Sequence, residues 1–540
     1  MKNWRVNIVL CFFFFLGAGI LAKLYDIQIL KAGYYGALAQ GQIFYNIEER
    51  IKNSRGEIFF KDGEPLAVNA EWPLVVVSPR EITEKDRTAE DLALFLNLDR
   101  DSVLEKLATN DIYTILKKRI DQDEAKKIKE ACLKGVYLKK EAGRYYPHEE
   151  LASQVVGFLN AEKEGQYGLE EYYDGILSED RKKSGDDITL TLDYAVQFTA
   201  EKLLKDAKTN LNIEGGQVIV MEAETGKIRA LANYPNFNPN QYSKVSDLNV
   251  FQNGATQKIF EPGSIFKPIT MVSALDQGVI TPLTTYEDSG VIKIGKWSIY
   301  NYEQRVYPGK LTMTNVLEKS INTGAVFAEQ KLGHVNFMKY IENFGVFEPT
   351  GIDLKEVYSE NKELKKGYEV NYATAAFGQG LEMTPLQLVR AFSAITNSGK
   401  LVTPYLVEKV SNGMEEKIID PKVSLKEIVS PKAASQLASM MVSVIENGYG
   451  KPAKIANYYI AGKTGTSQVP WSSLNVNRTG YSEKTWQSFI GFAPAFSPQF
   501  IILVKLDNPQ TKSAEFSAVP LFKQMAKYII DYYQIPPDYE

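Results

Sequence analysis

Histidine is almost missing from this chain: 540 residues hold only His148 and His334. A Ser-His-Asp triad would need one of them beside a nucleophile, and neither lies in such a context. Cysteine is as scarce. Cys11 lies in an apolar run and Cys132 far downstream, so neither a disulfide framework nor a zinc centre built on Cys and His has enough ligands. Positive charge is not in excess either, since 62 Lys and Arg stand against 66 Asp and Glu. The formal net charge of −4 offers nucleic acid no basic surface. A serine nucleophile assisted by lysine gains weight by elimination. With 44% hydrophobic and 24% charged residues, the chain is long enough for two or three cored domains.

A long apolar run occurs near the N-terminus. Residues 6–22 are apolar except for Asn7 and follow Lys2 and Arg5. That length is near the lower limit for a membrane-spanning helix, and the preceding cations put residues 1–5 in the cytoplasm. Ile20 holds the position before Ala22 where a small residue would favour signal cleavage, and Leu24, Ile27, Ile29 and Leu30 extend the pattern past Lys23. An uncleaved anchor is expected, with everything after it extracytoplasmic.

Residues 40–185 read as a first globular region. Short apolar strands such as Leu74-Val75-Val76-Val77 alternate there with charged helical stretches over 89–96 and 123–132. The polar run 179–187 reads as a linker or exposed hairpin. Beyond it, apolar runs over 216–221 and 227–233, separated by Glu222-Ala223-Glu224-Thr225-Gly226, have the form of a β-hairpin. Helices are expected after Ser264, over 313–332 and over 386–398. Strands are expected over 489–492 and 500–506, and an amphipathic helix over 520–533. Strands at both ends with helices between suggest one α/β layered unit without internal repeats.

The chemistry gathers around Glu261-Pro262-Gly263-Ser264-Ile265-Phe266-Lys267-Pro268. Pro and Gly set a turn, and the apolar residues that follow have helical spacing, so Ser264 sits at or just inside a helix N-terminus. Unpaired backbone N–H groups and the positive end of the helix dipole favour negative charge developing there. Lys267, three residues on, shares a helical face with Ser264 and supplies a candidate base. A second Ser-x-x-Lys, Ser359-Glu360-Asn361-Lys362, lies in a charged run that reads as a solvated loop or exposed turn. Two stretches downstream offer the remaining groups of an acyl-transfer site. Lys319-Ser320-Ile321-Asn322 puts a hydroxyl and an amide two apart at a turn or helix start, with capping as the alternative role. Ala461-Gly462-Lys463-Thr464-Gly465-Thr466 follows the strand-like Tyr458-Tyr459-Ile460. Its glycines let a substrate backbone approach, while Lys463, Thr464 and Thr466 suit a carboxylate.

In that order, Ser264-x-x-Lys267, Ser320-x-Asn322 and Lys463-Thr464-Gly465 resemble the penicillin-recognising serine enzymes, the penicillin-binding proteins and serine β-lactamases. The resemblance covers nearly the whole chain. Arg55-Gly56-Glu57-Ile58 with Gly63 looks like the first box of the non-catalytic pedestal of class B penicillin-binding proteins, although Phe60 stands where that family usually has Asp. Arg144-Tyr145-Tyr146-Pro147 and Gly165-Gln166-Tyr167-Gly168-Leu169-Glu170 resemble its later boxes. Phe377-Gly378-Gln379-Gly380 and Ser488-Phe489-Ile490-Gly491 look like the division-type branch.

The resemblance implies an α/β (α+β) architecture: a single N-terminal transmembrane helix, an elongated mixed pedestal, and a transpeptidase domain with a mainly antiparallel sheet flanked by helices. The expected division is a cytoplasmic tail over 1–5, an anchor over 6–22, a juxtamembrane helix over 23–40, a pedestal or dimerisation domain over 41–187 and the transpeptidase domain over 188–540. It also implies a peptidoglycan D,D-transpeptidase acting in septal wall synthesis. Ser264 would be acylated by a D-Ala-D-Ala stem peptide and inhibited by β-lactams, Lys267 would be its base, Ser320 the proton relay and Asn322 the holder of Lys267 and substrate. Lys463, Thr464, Gly465 and Thr466 would bind the substrate, with the backbone N–H groups of Ser264 and Thr466 as the oxyanion hole. No metal or organic cofactor is called for. The implied partners are the membrane, a lipid II polymerase and other division proteins, and no nucleic acid. An elongation-type enzyme, a D,D-carboxypeptidase or β-lactamase, and a silent envelope scaffold stay open at this point.

Overall fold

In the computed structural model of the chain, the structure describes residues 55–178, 185–420 and 422–540. The expected anchor over 6–22, the helix over 23–40 and most of the polar run 179–187 lie outside them. Among the described residues no helix is long and apolar enough to cross a membrane.

The pedestal begins with β1 (Ile58–Phe59), which turns through Gly63 into β2 (Pro65–Val77). β3 (Thr114–Lys117) and β4 (Val136–Tyr145) both pair antiparallel with β2. The charged helices Lys85–Leu96, Arg100–Ala108 and Gln122–Ala131 bury Leu92, Leu96, Val103, Leu107 and Ile128 against Val75 and Val77. Phe60 makes an apolar contact here. Its fully buried ring lies edge-on to Tyr194, 5.5 Å between centroids, and 6.2 Å from His148.

β5 (Asp187–Leu190) runs parallel to β1, so a division at residues 187 and 188 falls inside a strand hydrogen-bonded to the pedestal. The carboxylate of Asp193 caps α1 (Tyr194–Leu211) by accepting from the backbone N–H groups of Ala195 and Val196. The expected hairpin follows as β6 (Gly215–Glu222) and β7 (Ile228–Tyr234). A single 3₁₀ turn over Gly263–Phe266 leads into α2 (Lys267–Asp276). An arm carrying β8 (Val291–Ile294) and β9 (Trp297–Tyr300) comes next.

Where apolar spacing suggests one helix over 313–332, there are two: α3 (Met313–Glu318) and α4 (Asn322–Leu332). The break is real local structure, because Ser320 takes the left-handed conformation at φ +54°. α5 (Pro385–Thr396) starts at a capping box of Thr384 and Gln387, and β10 (Val407–Ser411) pairs with β5. α6 (Pro431–Asn447), β11 (Ala461–Pro470), β12 (Tyr481–Ala493), β13 (Phe500–Asp507) and α7 (Ala518–Tyr532) complete the chain. Tyr458-Tyr459-Ile460, expected as a strand, are irregular; the strand begins at Ala461, just ahead of the Lys-Thr-Gly motif.

The second sheet has the order β11-β12-β13-β6-β7, antiparallel throughout. Strand alternation sorts its side chains into two layers. Val218, Val220, Ile502 and Val504 pack with residues of α1 and α7, while Ile219, Met221, Ile501 and Leu503 belong to the core that holds α2, α5 and α6. In α2, every residue from Lys267 to Leu275 is buried. A helix enclosed on all sides is a fixed platform, and its N-terminal turn faces the edge strand β11.

Candidate active site

The turn before α2 is held from two sides. The Gly263 N–H donates to the carbonyl of Gly378 at 2.9 Å, and a Cβ on Gly378 would lie 2.2 Å from the Gly263 oxygen. On the other side, Ser467 of β11 donates from its hydroxyl to the Glu261 carbonyl at 3.2 Å. Gly263 itself has φ +59°, and a Cβ there would meet that of Ser467 at 2.9 Å. The turn is therefore held by backbone at Gly378 and by the Ser467 side chain on β11, which fixes the Ser264 hydroxyl relative to that strand.

Lys267 Nζ lies 3.0 Å from Ser264 Oγ, 2.6 Å from the Ser320 carbonyl oxygen, 3.2 Å from Ser320 Oγ and 2.8 Å from Asn322 Oδ1. The carbonyl and the amide oxygen can only accept, so they take two amine hydrogens. A neutral amine then has its lone pair left for the two serine hydroxyls. Burial pushes the Lys267 pKa well below its usual value, and the charge of nearby Lys463 pushes it further the same way. Lys463 is itself fully buried, and that burial brings its pKa down to about 7. Its Nζ donates to Ser320 Oγ at 2.9 Å, which places the Ser320 hydroxyl between the two lysines.

The sequence motifs thus converge in space. Ser264, Lys267, Ser320, Asn322 and Lys463 form one hydrogen-bonded cluster, and Thr464 is tied to it because Lys463 Nζ also donates to its carbonyl at 3.0 Å. Gly465 leaves room for Ser488 Oγ and Ile265, which a Cβ would meet at 2.7 and 3.0 Å. Thr466 sits apart from the lysines, its Oγ1 accepting from the Ala514 N–H at 3.1 Å, so its own proton still faces a ligand's needs. As an edge strand, β11 presents alternate backbone groups to the cleft.

The second Ser-x-x-Lys is elsewhere, in a largely exposed stretch that is anchored at Ser359 and Asn361. Asn361 is buried and exchanges hydrogen bonds with the backbone of Glu382, while Ser359 donates to the Glu382 carboxylate at 2.8 Å. Lys362 and Glu360 are both exposed and pair with each other. Pattern reading overlooked Glu261. Its carboxyl accepts from Tyr481 at 3.0 Å, and burial raises its pKa to about 7. An acidic residue set directly before Pro-Gly-Ser was the available signal.

Comparison with known proteins agrees with this geometry. The family model described as penicillin binding protein transpeptidase domain matches residues 216–527, and that of the penicillin-binding protein dimerisation domain matches residues 50–184. Stage V sporulation protein D of Bacillus subtilis is 32% identical over 84% of this chain and 74% of its own length. Peptidoglycan D,D-transpeptidase FtsI of Escherichia coli is 27% identical over 91% of this chain and 85% of its own. The crystal structure of penicillin binding protein 3 from Mycobacterium tuberculosis complexed with aztreonam shares the fold, with a TM-score of 0.71 at 24% identity over 90% of this chain and 97% of that one. The transpeptidase-domain model spans α2, the second sheet and the lysine-serine cluster, the dimerisation-domain model spans β1 to β4, and the chain belongs to the class B penicillin-binding proteins.

Proposed function

We propose that the chain is a peptidoglycan D,D-transpeptidase that cross-links stem peptides through an acyl-enzyme on Ser264, is acylated by β-lactams at the same atom, and serves septal wall synthesis. The observation that carries this reading is the 3.0 Å contact between Ser264 Oγ and a buried lysine amine whose other partners hold its lone pair toward the serine.

Neutral Lys267 takes the Ser264 proton as Oγ bonds to the carbonyl carbon of the D-Ala-D-Ala peptide. The carbonyl π pair moves onto oxygen, where the backbone N–H groups of Ser264 and Thr466 receive it; each such donor contributes about 3 kcal/mol in comparable sites. Collapse of this adduct breaks the C–N bond. Ser320 passes its proton to the departing amine and is resupplied from Lys267. Terminal D-Ala leaves, and the amine of an acceptor strand attacks the ester by the same path in reverse. Lys463, Thr464 and Thr466 hold the terminal carboxylate of the donor, and Gly465 lets its backbone lie along β11. Among the described residues, the hydrogen-bond partners of Ser264, Lys267 and Ser320 include no carboxylate, which favours an amine acceptor over base-assisted attack by water.

In this reading residues 6–22 anchor the chain from a cytoplasmic tail over 1–5, residues 23–40 continue the helix, and the pedestal over 41–187 carries the transpeptidase domain of 188–540 outside the membrane. A lipid II polymerase and other division proteins are the partners it would meet there. A second reading, cross-linking of spore wall, is favoured by the relative named for sporulation, and depletion separates the two: filamentous growth supports septal work, normal growth with defective spores the other.

The site is tested by intact-protein mass spectrometry of the full chain in detergent with benzylpenicillin. One stable adduct is expected on the wild type and none on Ser264→Ala. Turnover of the drug without an adduct would make this a lactamase, and an adduct that survives the substitution would remove Ser264 as nucleophile.

A further inference from the structure

The left-handed turn at Ser320 leaves α4 without a cap of its own, since its N-cap residue Ile321 has no side chain able to accept. The cap comes from the arm. Asn301, at the end of β9, accepts through Oδ1 from the backbone N–H groups of Asn322 at 3.0 Å and Thr323 at 3.1 Å. Its Nδ2 donates to both oxygens of Asp288, at 3.1 and 3.0 Å, and to the Arg305 carbonyl at 3.0 Å. Asp288 also accepts from Thr323 Oγ1 at 2.7 Å, Tyr307 N–H at 2.8 Å and Gly290 N–H at 2.9 Å. All three side chains are buried, with Asn301 4%, Asp288 9% and Thr323 1% exposed.

We infer that Asp288 and Asn301 are positioning residues that set the orientation of the Asn322 amide and, through it, the direction of the Lys267 lone pair. An amide has two flips that differ only in which end donates. Asp288 is acceptor-only, so it claims Nδ2 of Asn301 and forces Oδ1 onto the N-terminus of α4. The neighbouring Tyr300 carbonyl accepts from Asn322 Nδ2 at 2.9 Å, which turns Asn322 Oδ1 toward Lys267. The end of β9 thus grips Asn322 twice, once by its backbone and once by its amide. If Asn322 were free to flip, its NH₂ would offer Lys267 a donor in place of an acceptor, and the amine lone pair would be drawn from Ser264 to the amide. Burial works against the Asp288 carboxylate, but the bonds from Thr323, Tyr307, Gly290 and Asn301 outweigh it and keep the group ionised at neutral pH.

The inference rests on the acyl-transfer reading given above. Its test is the rate of acylation of the full chain by benzylpenicillin across pH, for Asn301→Ala and Asp288→Asn, each with its thermal midpoint. Both single variants are expected to acylate roughly ten- to a hundredfold more slowly, the loss that small misplacements of a reacting group produce. The acid limb of the pH profile should move to lower pH, because Lys267 loses an acceptor that favours its charged form. Asp288→Asn is near-isosteric and carries the test if Asn301→Ala does not fold. Wild-type rates in both variants, or an unmoved acid limb, would overturn the inference while leaving Ser264 acylation standing. A wild type that forms no adduct at Ser264 would instead overturn the acyl-transfer reading and this inference together.

Discussion

Ser320 is a β-substituted residue at φ +54°, a conformation that costs on the order of 1 kcal/mol or more and persists only where its surroundings require it. Here it lets one residue present both its carbonyl and its hydroxyl to Lys267, while the hydroxyl also meets Lys463. The two lysines therefore meet through a single serine, and the pKa of Lys267 is lowered first by burial and further by the charge of Lys463. Replacing Lys463 by Met should cut acylation by benzylpenicillin about tenfold to a hundredfold, since hydrogen bonds to charged groups are worth about 1.5–3 kcal/mol. It should also move the acid limb of the rate profile to higher pH, as Lys267 loses a repelling cation. Stability changes in a defined window. Lys463 titrates at 10.5 when unfolded and near 7 when folded, so the folded chain binds fewer protons between those values. Its contribution grows as pH rises from about 7 to 10.5, and Lys463→Met should remove that slope from urea unfolding measured at several pH values.

At the level of elements, the site depends on an edge strand, a broken helix and a glycine loop meeting at one turn. Gly378 is the tightest of these contacts. It has φ +77°, and a Cβ would stand 2.2 Å from the Gly263 oxygen and 2.7 Å from its nitrogen, so no side-chain motion relieves the clash. Gly378→Ala should destabilise the chain by about 2 kcal/mol or more and shift the nucleophile turn, read as a lowered thermal midpoint together with loss of the penicillin adduct even in the folded fraction. Periodicity located α2, α5, α7 and the β6–β7 hairpin because their apolar spacing is local. It ran through the α3–α4 break because Ile321 keeps the helical apolar pattern, whereas the chain turns left-handed at Ser320 and the new helix start is capped by the distant Asn301. It also set the strand at Tyr458-Tyr459-Ile460 on β-propensity, whereas pairing with β12 starts at Ala461.

Across the whole molecule, the three pedestal boxes turn out to be one buried ionic joint. Glu170 accepts from Arg55 Nε at 2.7 Å, Arg144 Nε at 2.7 Å and Tyr146 at 3.3 Å, and Arg144 also donates to the Gly56 carbonyl at 2.8 Å. Removing the shared anion leaves the buried Arg144 guanidinium without its carboxylate partner and Arg55 with Asp174 alone. Glu170→Ala is expected to cost about 3–5 kcal/mol in denaturant unfolding, while any protein that remains folded keeps the wild-type acylation rate. The joint matters to the catalytic part because one sheet crosses between them, β5 and β10 continuing β1 and β2. By itself the sequence determined the kind of chemistry, since scarce histidine and cysteine leave lysine as the base and three ordered motifs supply its partners, and it determined most helices and strands, since these follow local periodicity. Only the tertiary structure decided how a lysine becomes a base, because its pKa is set by burial and by a second lysine far along the chain. It alone also decided where Asn322 points, because that is fixed by Tyr300, Asn301 and Asp288 across the fold.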